Sequence, residues 1–417
     1  MEPSASFQKS QQQPVRPQDW SWPWWPLVPL YPYGQRRTVR TEIIQGKIWT
    51  FDQLQGILYT VVPTRMTAVK LAEGGILIYA PVAPTPECIR LVKELVAQHG
   101  DVKYIILPTA SGLEHKVFVG PFARRFPTAQ VFVAPSQWSY PLSLPLSWLG
   151  FPAQRTQILP QDSGLAPFAK DFDYAILDIN LGRGSFVEVA FLHKETRSLL
   201  LADSIVAVPE TPPAIAQLDP YPLLFHARDS AFETITDSEA NRRKGWQRTA
   251  LFALYFRPST LETASMGQAF RDALKAPDRS KKAYFGWFPF RWQPNWQQSF
   301  EALRGGGRPF VAPLLQIFIL DHAPRNTLDW ANRVASWDFE RIIPCHFQAP
   351  ISAQPDQFRQ AFTFLEPVEG ALNSHATDNQ PLPPADLDFI LKLEQNLDQK
   401  GITRPPLETS SGEKPGS

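Results

Sequence analysis

The chain of 417 residues predicts an α/β fold in which helices cover the outside of two packed sheets, and three stretches carry that reading. Short β-branched runs crowd Lys47 to Tyr79, helix and strand alternate from there to Ala134, and further strands run from Phe172 to Asp203. Meander, helix, strand, helix, strand is the order of half a two-sheet sandwich. The second half repeats the style without an internal sequence repeat. A long, mostly helical insertion at residues 205–312 interrupts it.

Residues 1–19 are polar and rich in Gln and Pro, which predicts a disordered tail. The Trp- and Pro-dense segment Trp20–Tyr33 opens a strap over 20–46, extended because its prolines prevent a regular helix. Its aromatics must bury, either over the core or in a membrane interface. Ile57–Val62, Thr67–Leu71 and Gly75–Tyr79 read as strands between turn residues. Thr85 is the expected N-cap of a helix with Pro86 at its first position, Ile89, Val92, Leu95 and Val96 on one face, and Gly100 at its end. A strand at Tyr104–Leu107, a helix over Val117–Arg125 and a strand at Ala129–Ala134 follow.

Phe172–Ile179 and Ser185–His193 read as strands, with His193 beside a turn and facing solvent. The turn Lys194–Arg197 leads into Ser198–Asp203. Within the insertion, Asp237–Phe256 is the clearest helix, stopped by Pro258. Residues 47–204 and 313–350 form the sandwich, with a helix at Thr327–Trp337 before the strand Arg341–Pro344. A C-terminal extension, 351–401, holds an amphipathic helix over 384–399, and 402–417 is a second disordered tail.

Composition sets bounds. The 41 basic and 40 acidic residues give no global field, which disfavours nucleic acid. Cys88 and Cys345 are the two cysteines, far apart and in no paired motif, which fits a reducing compartment. No apolar run approaches the ~20 residues of a membrane span, and the N-terminus has no signal-peptide pattern. The expectation is a cytoplasmic protein.

The chemistry-bearing residues gather at three strand ends: Thr109-Ala-Ser-Gly-Leu-Glu-His115, Leu199-Leu-Leu-Ala-Asp203 and Ile342-Ile-Pro-Cys-His346. In order, spacing and strand context they resemble the metallo-β-lactamase superfamily over Lys47 to Phe347. The resemblance implies an αββα sandwich of metallo-β-lactamase type with metals at the strand ends. Against the family's Thr-His-x-His-x-Asp-His, Thr109 and His115 match, Glu114 replaces the aspartate, and Ala110 and Gly112 stand where two histidines belong. No histidine lies between Leu181 and Phe186, where the family places another. By this resemblance the first metal site is lost. Donors remain at each second-site position: Glu114, His115, Asp203 and His346, of types that bind zinc, iron or manganese. Glu114 carries its carboxylate about one C–C bond, ~1.5 Å, further out than aspartate. Ala80 replaces an aspartate that would orient the missing histidines. The chain also resembles an uncharacterised cyanobacterial and plastid branch of this fold, which implies a photosynthetic organism.

Each of these residues has a structural reading too: His115 and Glu114 at a helix start, Asp203 capping a turn, His346 packed under the C-terminal segment. His226 and His322 are further candidates for the cleft, because long loops line it in this fold. Lys281–Trp292 interleaves cations with large aromatics, as a lid seam or an interfacial surface would. Neither cysteine has an activating context and no Gly-x-Ser-x-Gly occurs, so nucleophilic catalysis has little support.

Two functions follow. One is a single-metal hydrolase of an ester-like or apolar small molecule, with one divalent cation (Zn, Fe or Mn) and Asp203 as general base if it is not a ligand. The other is a catalytically inactive binding or assembly protein, without a metal. It would sit peripherally on a photosynthetic (thylakoid) membrane or complex through Trp20–Tyr33 and Tyr284–Trp292.

Overall fold

The computed structural model describes residues 16–24, 26, 29–110, 114–139, 144–182, 184–366 and 382–400. Gly112 of the motif, most of the expected N-terminal tail and the expected 402–417 tail lie outside the described residues.

Seven strands make the first sheet in sequence order: β1 (Val39–Ile44), β2 (Ile48–Ile57), β3 (Thr60–Lys70), β4 (Ile76–Tyr79), β5 (Val102–Leu107), β6 (Gln130–Val133) and β7 (Thr156–Ile158). It is antiparallel from β1 to β4 and parallel from β4 to β7. The parallel steps need crossovers, and α1 (Pro86–His99) and α2 (Lys116–Ala123) supply the first two. Thr85 Oγ1 accepts from Cys88 N at 3.2 Å, and Gly100 ends α1 at φ 93°. Cap, Pro86 and terminal glycine match the sequence expectation.

The second sheet holds β8 (Phe172–Asn180), β9 (Ser185–His193) and β10 (Ser198–Leu201). The chain then leaves for the insertion: α3 (Ala214–Gln217), α4 (Tyr221–Ala227), α5 (Glu239–Tyr255), α6 (Met266–Lys275) and α7 (Trp296–Arg304), with a hairpin of β11 (Leu261–Thr263) and β12 (Phe290–Trp292). It returns through α8 (Pro313–Phe318) and α9 (Pro324–Ala335) to β13 (Arg341–Pro344), which pairs parallel to β10. Then β14 (Ile351–Ser352) closes the edge, α10 (Pro355–Gln360) follows, and α11 (Pro384–Gln399) is the last described helix.

Three apolar layers make this an αββα sandwich. Tyr79, Ile106 and Phe132 of the first sheet meet Tyr174, Phe191, Leu200 and Ile343 of the second between the sheets. Ile78, Ile105 and Val131 point outward against Val92 of α1 and Phe122 of α2. Leu177, Leu199 and Ile342 face Trp330 of α9 and Phe358 of α10. The alternation of strand side chains between two covered faces explains why these strands are apolar at nearly every position. Burial of Phe358 places α10 inside this outer layer.

Three local expectations need correction. Ile57–Val62 is not one strand: Leu58 (φ 50°) and Tyr59 (φ 61°) turn the chain between β2 and β3. Neither is Gly or Asn, so the usual hairpin signal is missing. Tyr59 is held in the turn by Tyr31, Phe225 and Tyr284, with ring centroids 4.9–5.2 Å away. His193 is buried rather than solvent-facing, its Nδ1 2.8 Å from Thr196 Oγ1 and its ring 5.0 Å from Phe172. Pro17–Asp19, placed in the tail from sequence, form a 3-10 turn together with Trp20 of the strap, with the Arg37 guanidinium 4.2 Å from the Trp20 ring centroid.

The strap passes over the rim of the first sheet. Trp22 buries edge-on to Phe118 at 5.3 Å, while Trp24 is half exposed. Tyr31 exchanges backbone hydrogen bonds with Gly56, and its hydroxyl donates to Asp219 of the insertion. A Cβ at Gly56 would lie 1.9 Å from the Thr60 carbonyl oxygen, so the close hairpin approach requires glycine there.

Candidate metal centre

Three chain segments deliver the four candidate donors to one end of the sandwich. After β5, Pro108 accepts from Val189 N at 3.1 Å, and Thr109 bridges to Glu188 of β9. This bridge joins the two sheets at the site. Glu114 and His115 follow just before α2, Asp203 lies two residues past β10 and His346 two past β13. Donor atoms of Glu114, His115 and His346 lie within 4.8 Å of one another. Asp203 Oδ1 is 3.2 Å from His346 Nε2, and Glu114 Oε2 is 2.8 Å from the same nitrogen. Three of the four sequence-nominated donors are thus mutually close, and Asp203 joins them through His346.

Backbone carbonyls orient both imidazoles. His115 Nδ1 lies 3.1 Å from Pro81 O, and His346 Nδ1 lies 2.9 Å from Pro63 O. A carbonyl can only accept, so each Nδ1 carries the proton and each Nε2 faces inward. Burial, seconded by the neighbouring His346, lowers the pKa of His115, which keeps it neutral with a lone pair on Nε2. That atom is buried and has no hydrogen-bond partner among the described residues. An inward nitrogen lone pair beside two carboxylates and a second imidazole is a donor set that fits a divalent cation. Ala80 takes a left-handed φ of 55° as the chain turns from β4 into Pro81. The Pro81 carbonyl orients His115 there.

His346 has the opposite electrostatics. Burial works to lower its pKa, but Glu114 and Asp203 outweigh burial and hold the imidazolium well above its ordinary range. Burial would raise Glu114, yet His346 overturns this and brings it down to about 2, with His115 and Arg36 adding to the pull. Arg36 is itself buried, donates to Leu54 O at 3.1 Å, and is lowered to about 10 by burial despite the attraction of Glu114.

Two further residues that sequence reasoning missed hold the donors in place. Glu188 is fully buried and accepts from the backbone N–H groups of Ala202 (2.7 Å), Asp203 (2.8 Å) and Ser204 (3.1 Å). Burial and the nearby Asp203 carboxylate push its pKa up to about 7 against those three donors. A lone acid inside the apolar run Val187–Leu192 was the available signal. Arg65 pairs with Asp52 (Nε to Oδ1 2.7 Å) and donates to Pro344 O at 2.7 Å and Phe347 O at 2.9 Å. Its guanidinium thus clamps both sides of His346, including Phe347 in a left-handed conformation at φ 55°.

Thr109, Glu114, His115, Asp203 and His346 form the polar floor of a cleft of about 650 Å³. Its walls are apolar: Leu30 of the strap, Ile57 and Val62 of the hairpin, Leu254 of α5, and Leu314, Leu315 and Phe318 of α8. Neither His226 nor His322 lines it, contrary to the sequence expectation. His226 is buried in the insertion core with Nε2 3.3 Å from Leu58 O and the Phe290 ring 5.2 Å away. His322 pairs with Glu394 of α11 at 3.1 Å. Both positions depend on tertiary packing with no local sequence signal.

The described fold is thus an αββα sandwich with carboxylates and imidazoles gathered at its strand ends. The chain belongs to the family described as Domain of unknown function (DUF4336), whose model matches residues 45–364. No curated protein matches it. Among solved structures, it is similar to the metal-soaked Flv1 flavodiiron core from Synechocystis sp. PCC6803, at 9% identity and a TM-score of 0.39, covering 79% of this chain and 61% of that one. A flavo di-iron protein mutant from Thermotoga maritima gives 9% identity and 0.37, covering 81% and 64%. A metallo-β-lactamase from Pontibacter korlensis gives 14% and 0.30, covering 42% and 76%. The chain spans less than two thirds of both flavodiiron chains.

Proposed function

We propose that this protein is a single-metal hydrolase acting on an ester-like substrate with an apolar body. The observation that carries the reading is the inward-facing, unpartnered Nε2 of His115 within 4.8 Å of donor atoms of Glu114 and His346. Glu114, His115 and His346 would hold one divalent cation, zinc, iron or manganese, with Asp203 beside them, and the cation would take the place of the Nε2 proton of the His346 imidazolium. Bound there, such a cation lowers the pKa of a coordinated water and polarises a carbonyl. Asp203 faces the cleft as a carboxylate whose own backbone N–H is tied down by Glu188, so it is placed to accept a proton from attacking water. His115 and His346 keep their orientation through Pro81 and Pro63. The apolar walls exclude bulk water and favour a substrate tail over a free polar head.

The test uses full-length protein loaded in turn with each metal and assayed on p-nitrophenyl esters of increasing acyl length. Turnover should rise about fourfold in kcat/KM per methylene until the cleft fills, and Asp203→Asn should lower it at least a hundredfold or so. No turnover with any metal, or turnover indifferent to Asp203→Asn, sinks the reading.

A second reading rests on the same contacts. The His346 imidazolium with Glu114 and Asp203 is a self-compensated ion cluster, which suits a binding protein that has given up chemistry. Stoichiometric metal uptake separates the two.

A further inference from the structure

The insertion presents an apolar ridge that the cleft does not use. Helix α6 starts at a capped serine, Ser265 Oγ accepting from Gln268 N at 3.3 Å. It packs inward through Ala269 and Ala273 only. Its outward residues Met266, Phe270 and Leu274 are 74%, 64% and 58% exposed, and their spacing of four aligns them on one stripe. Phe285, 67% exposed, lies close to the same helix. At its neighbour Gly286 an added Cβ would lie 2.7 Å from the Ala276 Cβ and 2.8 Å from Ala273 O, so the glycine seats the turn against the end of α6. Phe285 itself is held at φ 58° and ψ 29°, a left-handed conformation uncommon for an aromatic residue. Backbone strain that aims a large apolar side chain at solvent is a mark of a contact surface.

The charge along this segment is net positive. Between Met266 and Phe285 stand five cations (Arg271, Lys275, Arg279, Lys281, Lys282) and two acids (Asp272, Asp278), a local net of +3 in a chain whose total is +1. Both acids are engaged, Asp272 by Gln268 Nε2 at 2.7 Å and Asp278 by Ser280 N at 2.9 Å. Arg279 reaches back to Leu274 O at 3.3 Å, which sets a cation beside the stripe. Two copies meeting through this face would bring like charges together.

We propose that α6 and the Phe285 turn are a docking surface for an anionic phospholipid membrane. Met266, Phe270, Leu274 and Phe285 enter the headgroup boundary while the cations meet lipid phosphates.

Flotation of the full chain with phosphatidylglycerol–phosphatidylcholine vesicles tests this, with pure phosphatidylcholine as control. Wild type floats with the anionic vesicles and not the zwitterionic ones, and its partition falls roughly tenfold at high salt as the cations are screened. Phe270→Ser/Phe285→Ser and Arg271→Glu/Lys275→Glu each lower the partition at least about tenfold. These side chains are exposed, so thermal unfolding should stay at the wild-type temperature, which separates lost docking from lost folding. Three results overturn the proposal: wild type that floats with neither vesicle, variants that float as well as wild type, or a concentration-dependent dimer that the Phe270→Ser/Phe285→Ser variant abolishes.

Discussion

The cleft floor and the insertion core each bury a histidine whose one nitrogen meets a backbone carbonyl, yet only the floor surrounds it with carboxylates. His115 offers Nδ1 to Pro81 and leaves Nε2 unpartnered among the described residues. His226 offers Nε2 to Leu58 and leaves Nδ1 likewise unpartnered. Burial lowers the pKa of both, His226 to about 4. Around His226 stand the rings of Phe225, Phe252 and Phe290. Around His115 stand Glu114, His346 and, one contact further, Asp203. An unpartnered buried nitrogen is therefore not a cation site by itself; convergent anions are what turn it toward a cation.

The largest expected break is at the scaffold of the floor. Removing Arg65 leaves Asp52 without its cation and two loop carbonyls without their donor. Arg65→Ala should cost about 3–5 kcal/mol in chemical denaturation, whereas His226→Phe, which keeps a ring in an aromatic nest, should cost about 1.5 kcal/mol or less. Next is Glu188, which holds the Asp203 loop by three backbone N–H groups. Glu188→Gln should weaken metal binding roughly tenfold, read by titration with a competing chelator. His226→Phe should leave that affinity alone.

The two histidine environments also differ in what pH does to them. His193 and His226 both titrate near 4 when folded because burial disfavours their charged forms, and near 6.5 when unfolded. Between those values the unfolded chain binds more protons, so stability falls as pH drops from about 6.5 to about 4, by ~1.4 kcal/mol per pH unit for each histidine. Glu188 opposes this, since its folded pKa is raised to about 7 and the folded chain holds its proton more tightly. His226→Phe should therefore flatten the acid slope of a denaturation series by one proton, and an unchanged slope contradicts the assignment.

Much of the floor was legible in sequence because each donor lies at a strand end and carries its own local pattern. Thr109–His115, Leu199–Asp203 and Ile342–His346 needed no tertiary knowledge to nominate. What holds those donors was not legible, since Arg65 acts on Pro344 and Phe347 across some 280 residues. Arg36 likewise reaches Glu114 only through the folding of the strap. The turn at Leu58–Tyr59 has no local signal because aromatic packing, not turn chemistry, stabilises it. His193, His226 and His322 were misplaced for a related reason. Proximity in sequence to a turn or an apolar run does not say which neighbours a long insertion and a C-terminal helix bring to a side chain.

The central claim is that the floor holds one cation. Metal content of full-length protein, purified without chelator and reconstituted with zinc, iron or manganese, tests it most directly. Wild type and His226→Phe should each carry about one metal per chain, and His115→Ala/His346→Ala close to none. A wild type that takes up no metal, or a double variant that takes up as much as wild type, contradicts it.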